Sequence, residues 1–355
     1  MLKILDDLDA IKKVDSNNLL GIVRKFPEQM EDALKIAEKV DIEEFKPLHI
    51  VIAGMGGSAI GGDILANWLF NRIDIPIFVN RVYNLPSFAG KDTLLFAVSY
   101  SGNTEETLDL FHEGIKNGCK IIAITTGGEL ENRCRNKNVR LISIPKGMPP
   151  RAAIAYLFVP MVVVLKKLGI YVPDKEMDVA IENLKILRER LVPENPTENN
   201  PAKRIALQLE NETPIIYGSG IYSPIARRWQ TELNENSKVL AWHGTFPEMN
   251  HNEIEAWGND DNSKKFTAVL LRDNFLPESR LQKRVILTKN SILNKRAKKV
   301  IEVVAEGGEE KDYLARMLFS TYLGDFVSIY LAILRGVNPT PVNTIESFKK
   351  DLAGF

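Results

Sequence analysis

The feature that most constrains this chain is a series of short, almost wholly apolar runs set between stretches of helix-forming composition. Residues 48–53 read Leu-His-Ile-Val-Ile-Ala, and similar runs follow at 75–79, 93–98, 120–124 and 139–144. A strand with one wet face alternates apolar and polar residues, whereas a run without alternation is covered on both faces. Between the runs lie segments such as 59–70 and 105–116, which read as helices. Buried strands alternating with helices predict an α/β fold: a parallel, doubly wound sheet joined by right-handed crossovers.

At 355 residues the chain exceeds one average domain, and its pattern restarts part-way along. Residues 193–201, Pro-Glu-Asn-Pro-Thr-Glu-Asn-Asn-Pro, form a polar, proline-rich stretch of the kind that separates domains. After it, 213–220 echoes the first strand and its glycine loop, 266–271 echoes the third strand, and 300–307 echoes 121–127. Three landmarks in the same order predict a duplicated α/β unit. The expected layout is a helical extension over 1–45, a first domain over 46–175, a linker over 176–203, a second domain over 204–335 and a tail helix over 336–355.

In an open parallel sheet, ligands bind beyond the carboxyl ends of the strands. After the third strand the chain reads Ser99-Tyr100-Ser101-Gly102-Asn103-Thr104. The hydroxyls of Ser99, Ser101 and Thr104, a glycine that lets backbone come close, and a helix starting near Thr104 together make an anion site suited to phosphate. Capping that helix would need one hydroxyl, not three around a glycine. The equivalent stretch of the second copy, Arg272-Asp273-Asn274-Phe275, has no such chemistry, so only the first copy is expected to hold phosphate.

The earlier loop, Gly54-Met55-Gly56-Gly57-Ser58-Ala59, has the spacing of a tolerant dinucleotide motif. The acidic residue that should close the second strand is missing, since Val79-Asn80-Arg81 stands there, so no nucleotide cofactor is expected. Gly56, Gly57 and Ser58 are instead expected to bring backbone amides against a sugar.

Acidic and basic residues balance at 46 each, which removes any long-range field toward nucleic acid or an anionic membrane. Cys119 and Cys134 lack the C-x-x-C spacing, and His49, His112, His243 and His251 form no metal-ligand pattern, so no metal site is expected. The longest apolar stretch noted, 152–165, contains Pro160 and is too short to span a bilayer; it reads as a buried helix. The acidic N-terminus lacks the form of a signal peptide, and a cytoplasmic location is expected.

Taken with Pro150-Arg151-Ala152-Ala153, Glu232-Leu233-Asn234-Glu235-Asn236-Ser237-Lys238 and Asn250-His251-Asn252-Glu253, the two loops resemble the sugar isomerase (SIS) domains of the bifunctional phosphoglucose/phosphomannose isomerase family. The similarity runs over nearly the whole chain. It implies interconversion of glucose 6-phosphate or mannose 6-phosphate with fructose 6-phosphate through an enediol, without a cofactor. By the same resemblance Glu235 is the base, Arg151 stabilises the enediolate, and His251 with a C-terminal lysine opens the sugar ring. His251 is implied to come from the partner subunit of a homodimer. Lys349 is chosen over Lys350 because Ile345, Phe348 and Leu352 form an apolar stripe beside it. Glu232 is read as a residue on a solvated helix face, and Thr340 as lining the space around the second sugar carbon. Two other functions fit the loops: an isomerase of another phosphosugar, such as a heptose or amino sugar phosphate, and a phosphosugar-binding regulator without turnover.

Overall fold

The computed structural model describes residues 4–170, 172–275, 278–352 and 354, which gather into two compact units. One unit holds residues 25–184 and 311–317. Its five strands are β1 (His49–Ala53), β2 (Ile77–Asn80), β3 (Thr93–Val98), β4 (Lys120–Thr125) and β5 (Arg140–Ser143), ordered β2-β1-β3-β4-β5 with every pair parallel. Leu94 to Val98 and Ile50 to Ala53 are fully buried, as runs without alternation require. Each such aliphatic side chain contributes about 1.5–3 kcal/mol on burial.

Phe26–Glu38 packs against the helix Ile154–Lys167, and Tyr156 at its start donates to Asp32 Oδ2 at 3.0 Å. Every residue from Ile154 to Leu165 is buried, in agreement with the reading of this stretch as a core helix. Pro160 lies inside the helix.

The other unit holds residues up to Arg24, then 185–310 and 318–355. It carries β6 (Thr213–Ser219), β7 (Trp242–Phe246), β8 (Phe266–Arg272) and β9 (Lys299–Val304) in the order β7-β6-β8-β9, again all parallel. This order repeats β2-β1-β3-β4 strand for strand. Strand β7 has no counterpart among the runs read from the sequence. It is an edge strand with Gly244 inside it and Trp242 half-exposed, so it never becomes a wholly apolar run.

Three other expectations need correction. The 1–45 extension does not stay together: the boundary between units falls after Arg24. Within the 176–203 linker the charged stretch is a helix, Asp174–Leu191, as its composition suggests, but the polar stretch after it is a folded turn that ends in the helix Pro201–Leu209. Lys203 is completely buried beneath that turn and donates to the carbonyls of Pro193 and Asn195, both at 2.8 Å, which accounts for the proline-rich stretch being folded rather than loose. Finally, the helix Tyr313–Leu334 is long and apolar enough to cross a membrane, and 94% of its most apolar window is buried in the protein. It escaped notice because Arg316, Ser320, Thr321, Asp325 and Ser328 interrupt the apolar letters.

Candidate active site

In the first unit the two polar loops meet at the carboxyl ends of β1 and β3. Gly57 lies so close to the backbone of Arg151 that an added Cβ would be 3.1 Å from its Cα, and a larger residue would push the two segments apart. Arg151 sits in the short 3-10 turn Pro150–Ala152, just before the buried helix rather than in it, and is only 4% exposed. A guanidinium is held at such burial only when its charge has a task or a partner.

Ser58 is also buried, and its hydroxyl accepts from the Tyr100 backbone N–H at 3.3 Å. Across the serine loop, Ser99 Oγ accepts from Gly102 N at 3.1 Å and lies 2.9 Å from Thr104 Oγ1. Gly102 has φ +71°, and an added Cβ would stand 1.8 Å from the carbonyl oxygen of Gly127, so no other residue fits. Ser101 is exposed, and its hydroxyl accepts from Asn103 N at 3.2 Å.

Thr104 occupies the N-cap of the helix Glu105–Lys116 without a capping side-chain bond; its hydroxyl faces Ser99 instead. Asn103 does not cap this helix either. Its Oδ1 accepts from Glu129 N at 2.9 Å, at the start of the next helix, Gly128–Lys137. The start of Glu105–Lys116 thus takes no side-chain cap from Thr104, a geometry that the phosphate reading allows and the capping reading does not.

Tyr100, unremarked in the sequence beyond its place in the loop, ties this loop to the Arg151 turn. Its hydroxyl donates to Pro145 O at 3.1 Å and accepts from Met148 N at 3.0 Å, and burial raises its pKa. An aromatic residue between two serines was the available signal.

The second unit keeps the frame of this site but fills it. Gly56 and Gly220 stand at matching positions with φ +49° and +55°. Two residues on, the first unit has the small Ser58 and the second has the buried Tyr222, whose hydroxyl donates to Asp273 Oδ2 at 2.9 Å. Asp273 follows β8 as Ser99 follows β3, and its Oδ1 accepts from Phe275 N at 3.0 Å. A carboxylate of the chain itself stands where the other copy offers hydroxyls.

The second unit contributes other groups. Glu235 is the last residue of the helix Ser223–Glu235, half-buried, rather than part of a separate polar segment. Glu232 does not lie on a solvated face: it is 3% exposed, pairs with Arg228 at 3.1 Å and accepts from Asn236 Nδ2 at 2.7 Å. Arg228 also grips Asp325 with two hydrogen bonds of 2.9 Å. Burial is the largest influence on Asp325 and raises its pKa, with the Arg228 guanidinium opposing it. Glu232 is therefore committed to an internal ion cluster, whereas Glu235 stands at the helix end.

His251 closes the 3-10 turn Glu248–His251 and is exposed. Lys349 and Lys350 both lie on the helix Asn343–Leu352, which buries none of its residues, and the stripe of Ile345, Phe348 and Leu352 is exposed as well. That stripe therefore gives no ground within the chain for preferring Lys349. Thr340 stands between Pro339 and Pro341, with its N–H donating to Asn338 Oδ1 at 3.0 Å. The structure thus gathers Gly56, Gly57, Ser58, Ser99, Ser101, Thr104 and Arg151 in one place, while Glu235, His251 and Lys349 occupy three separate elements of the other unit. Among the described residues no three His, Cys, Asp or Glu side chains gather as a metal-binding group.

The C-terminal SIS domain of bacterial phospho-glucose isomerases matches residues 198–352. A bifunctional phosphoglucose/phosphomannose isomerase of Caldicellulosiruptor bescii is 41% identical over 342 residues, which cover 93% of this chain and 98% of that protein. A D-glucosamine-6-phosphate 4-epimerase of Sulfolobus acidocaldarius is 31% identical over 257 residues, 71% of this chain and 77% of that one. In fold, a glucose-6-phosphate isomerase-like protein of Thermus thermophilus superposes with a TM-score of 0.64 at 20% identity, covering 98% of both chains.

Proposed function

Since the chain belongs to the bifunctional phosphoglucose/phosphomannose isomerase family, we propose that it interconverts glucose 6-phosphate and mannose 6-phosphate with fructose 6-phosphate. The observation that carries this is the uncapped helix start at Thr104, in a loop whose Tyr100 N–H bonds Ser58, the residue after the Gly57 that packs on the buried Arg151. The N–H groups of that helix start and the hydroxyls of Ser101 and Thr104 grip the phosphate, and Ser58 and Ser99 shape the loops around it. Glu235 moves a proton between the first and second carbons. Arg151 stabilises the enediolate oxygen on which negative charge grows. His251 and Lys349 open the ring, exchanging protons with its oxygen and the anomeric hydroxyl. An exposed His251 is what a site shared across a homodimer requires, and the protein acts in the cytoplasm.

Coupled assays with glucose 6-phosphate and mannose 6-phosphate side by side are expected to show turnover of both. Turnover of neither, with C4 inversion of glucosamine 6-phosphate instead, would move the chain to the epimerase chemistry of its Sulfolobus relative.

Removing the hydroxyls of Ser101 and Thr104 together is expected to raise KM about tenfold or more and leave kcat nearly as it was. Each hydrogen bond to a charged group contributes about 1.5–3 kcal/mol, present in ground and transition states alike. A loss confined to kcat would contradict the phosphate-gripping role.

A further inference from the structure

The residue after the Glu235-Asn236-Ser237 turn is Lys238, and its ammonium collects three backbone carbonyls. One is that of Glu235 itself; the others are Pro341 O at 2.7 Å and Pro339 O at 3.5 Å. An ammonium only donates and has several protons to give, so it can bridge several carbonyls at once. A lysine that merely caps a helix takes carbonyls of its own last turn. Here two of the three come from a segment a hundred positions further along the chain.

That segment is held from its other side too. Asn338 donates to Ser16 Oγ at 2.9 Å and Asn17 Oδ1 at 2.8 Å, and accepts from Thr340 N. Two residues after Pro341 begins the exposed helix Asn343–Leu352, which carries Lys349. The near side of the Lys238 junction is rigid as well. Asn236 Nδ2 bonds Ser328 Oγ at 2.9 Å, and Ser237 Oγ donates to Ser328 O at 2.6 Å. Lys238 has φ +55°, a left-handed conformation that costs a lysine energy and that glycine or asparagine adopts more easily. A long side chain kept at such a position is kept for what its end does.

We propose that Lys238 is a positioning residue of the isomerase reaction, joining the helix end that carries Glu235 to the root of the helix that carries Lys349. The proposal rests on Glu235 being the base. It assigns Lys238 no contact with substrate: through the carbonyls it joins, the ammonium holds the base in register with the sugar carbons. Small displacements of a catalytic group are costly to rate and nearly silent in binding.

Lys238→Met tests this directly, because methionine suffers the same left-handed backbone and nearly the same stem while lacking the ammonium. The expected result is a kcat lower by about 10- to 100-fold, with KM for glucose 6-phosphate and competition by inorganic phosphate within about twofold of wild type. Lys238→Arg, which keeps the donors, restores much of kcat. If Lys238→Met does not fold, Lys238→Gly serves in its place: it relieves the backbone, and it is expected to lose kcat equally. Wild-type kcat in the folded Met or Gly variant, or a loss expressed only in KM, would overturn the proposal. Glu235→Gln, assayed in parallel, separates the two levels. If it is inactive while Lys238→Met is fully active, positioning by Lys238 falls and the base stands. If it retains turnover, both fall.

Discussion

Glu235→Gln is expected to lower kcat for both hexose 6-phosphates by about 10²- to 10⁴-fold while leaving KM close to wild type. Glutamine has the shape of the carboxylate but no affinity for the proton, and general-base catalysis contributes about that much. On the proposed reading the phosphate is gripped by the Ser101 and Thr104 hydroxyls and not by Glu235, so binding is expected to survive. Stopped isomerisation with retained phosphosugar binding, measured by calorimetry beside the coupled assay, is the pattern that identifies a base. Unchanged turnover would remove Glu235 from the role, and Glu232 could not inherit it, because its carboxylate is fully engaged by Arg228 and Asn236.

The second large effect is on stability. Arg228 is 1% exposed and stands between two buried carboxylates, those of Asp325 and Glu232. Burial works against its charge, and the two acids hold its pKa above the usual arginine range all the same. Arg228→Met would leave both acids buried without a counter-charge, and breaking a buried ion pair in this way costs about 3–5 kcal/mol. Urea unfolding should show it as a lower midpoint at an unchanged slope.

The loss has a definite pH dependence. A carboxylate whose folded pKa is raised contributes stability that is present below its unfolded pKa, near 3.8 for Asp325, and declines as pH rises toward its folded value. Removing Arg228 takes away the charge that opposes the rise at Asp325, and so raises its folded value further. The gap between variant and wild type should therefore widen from pH 5 to pH 8. Adding Glu232→Gln and Asp325→Asn to the variant should recover part of the loss, since amides need no counter-charge. A deficit below about 1 kcal/mol at pH 8, or one that shrinks as pH rises, would contradict this account.

Much of the first half was legible in the letters because its chemistry is local. The non-alternating runs at 48–53 and 93–98 became β1 and β3 nearly residue for residue, and the serine loop and glycine loop lie where the strands end. The duplication was legible from three landmarks, and the matching strand orders and the paired left-handed glycines bear it out. What escaped were features whose cause lies far along the chain. The edge strand β7 is defined by its pairing to β6, with Ile215 opposite Trp242, and not by its own composition. Glu232, one turn after Arg228, looks like half of a helix-surface ion pair until Asp325, 97 residues beyond Arg228, is found gripping the same guanidinium in the core. The polar 193–201 stretch looks like a linker until a buried lysine is found collecting its carbonyls.

The sequence by itself therefore determined the fold class, the duplication and the place of the serine loop at the end of β3. Strand burial, helix starts and tight glycine turns are set by residues within a few positions of one another. Only the tertiary structure decided which acids are internal and which are offered at a helix end. It also showed why the second copy is filled, by Tyr222 against Asp273, and how Lys238 joins two distant segments. Those outcomes depend on desolvation and on hydrogen-bond partners brought from remote parts of the chain, and no local pattern of residues encodes them.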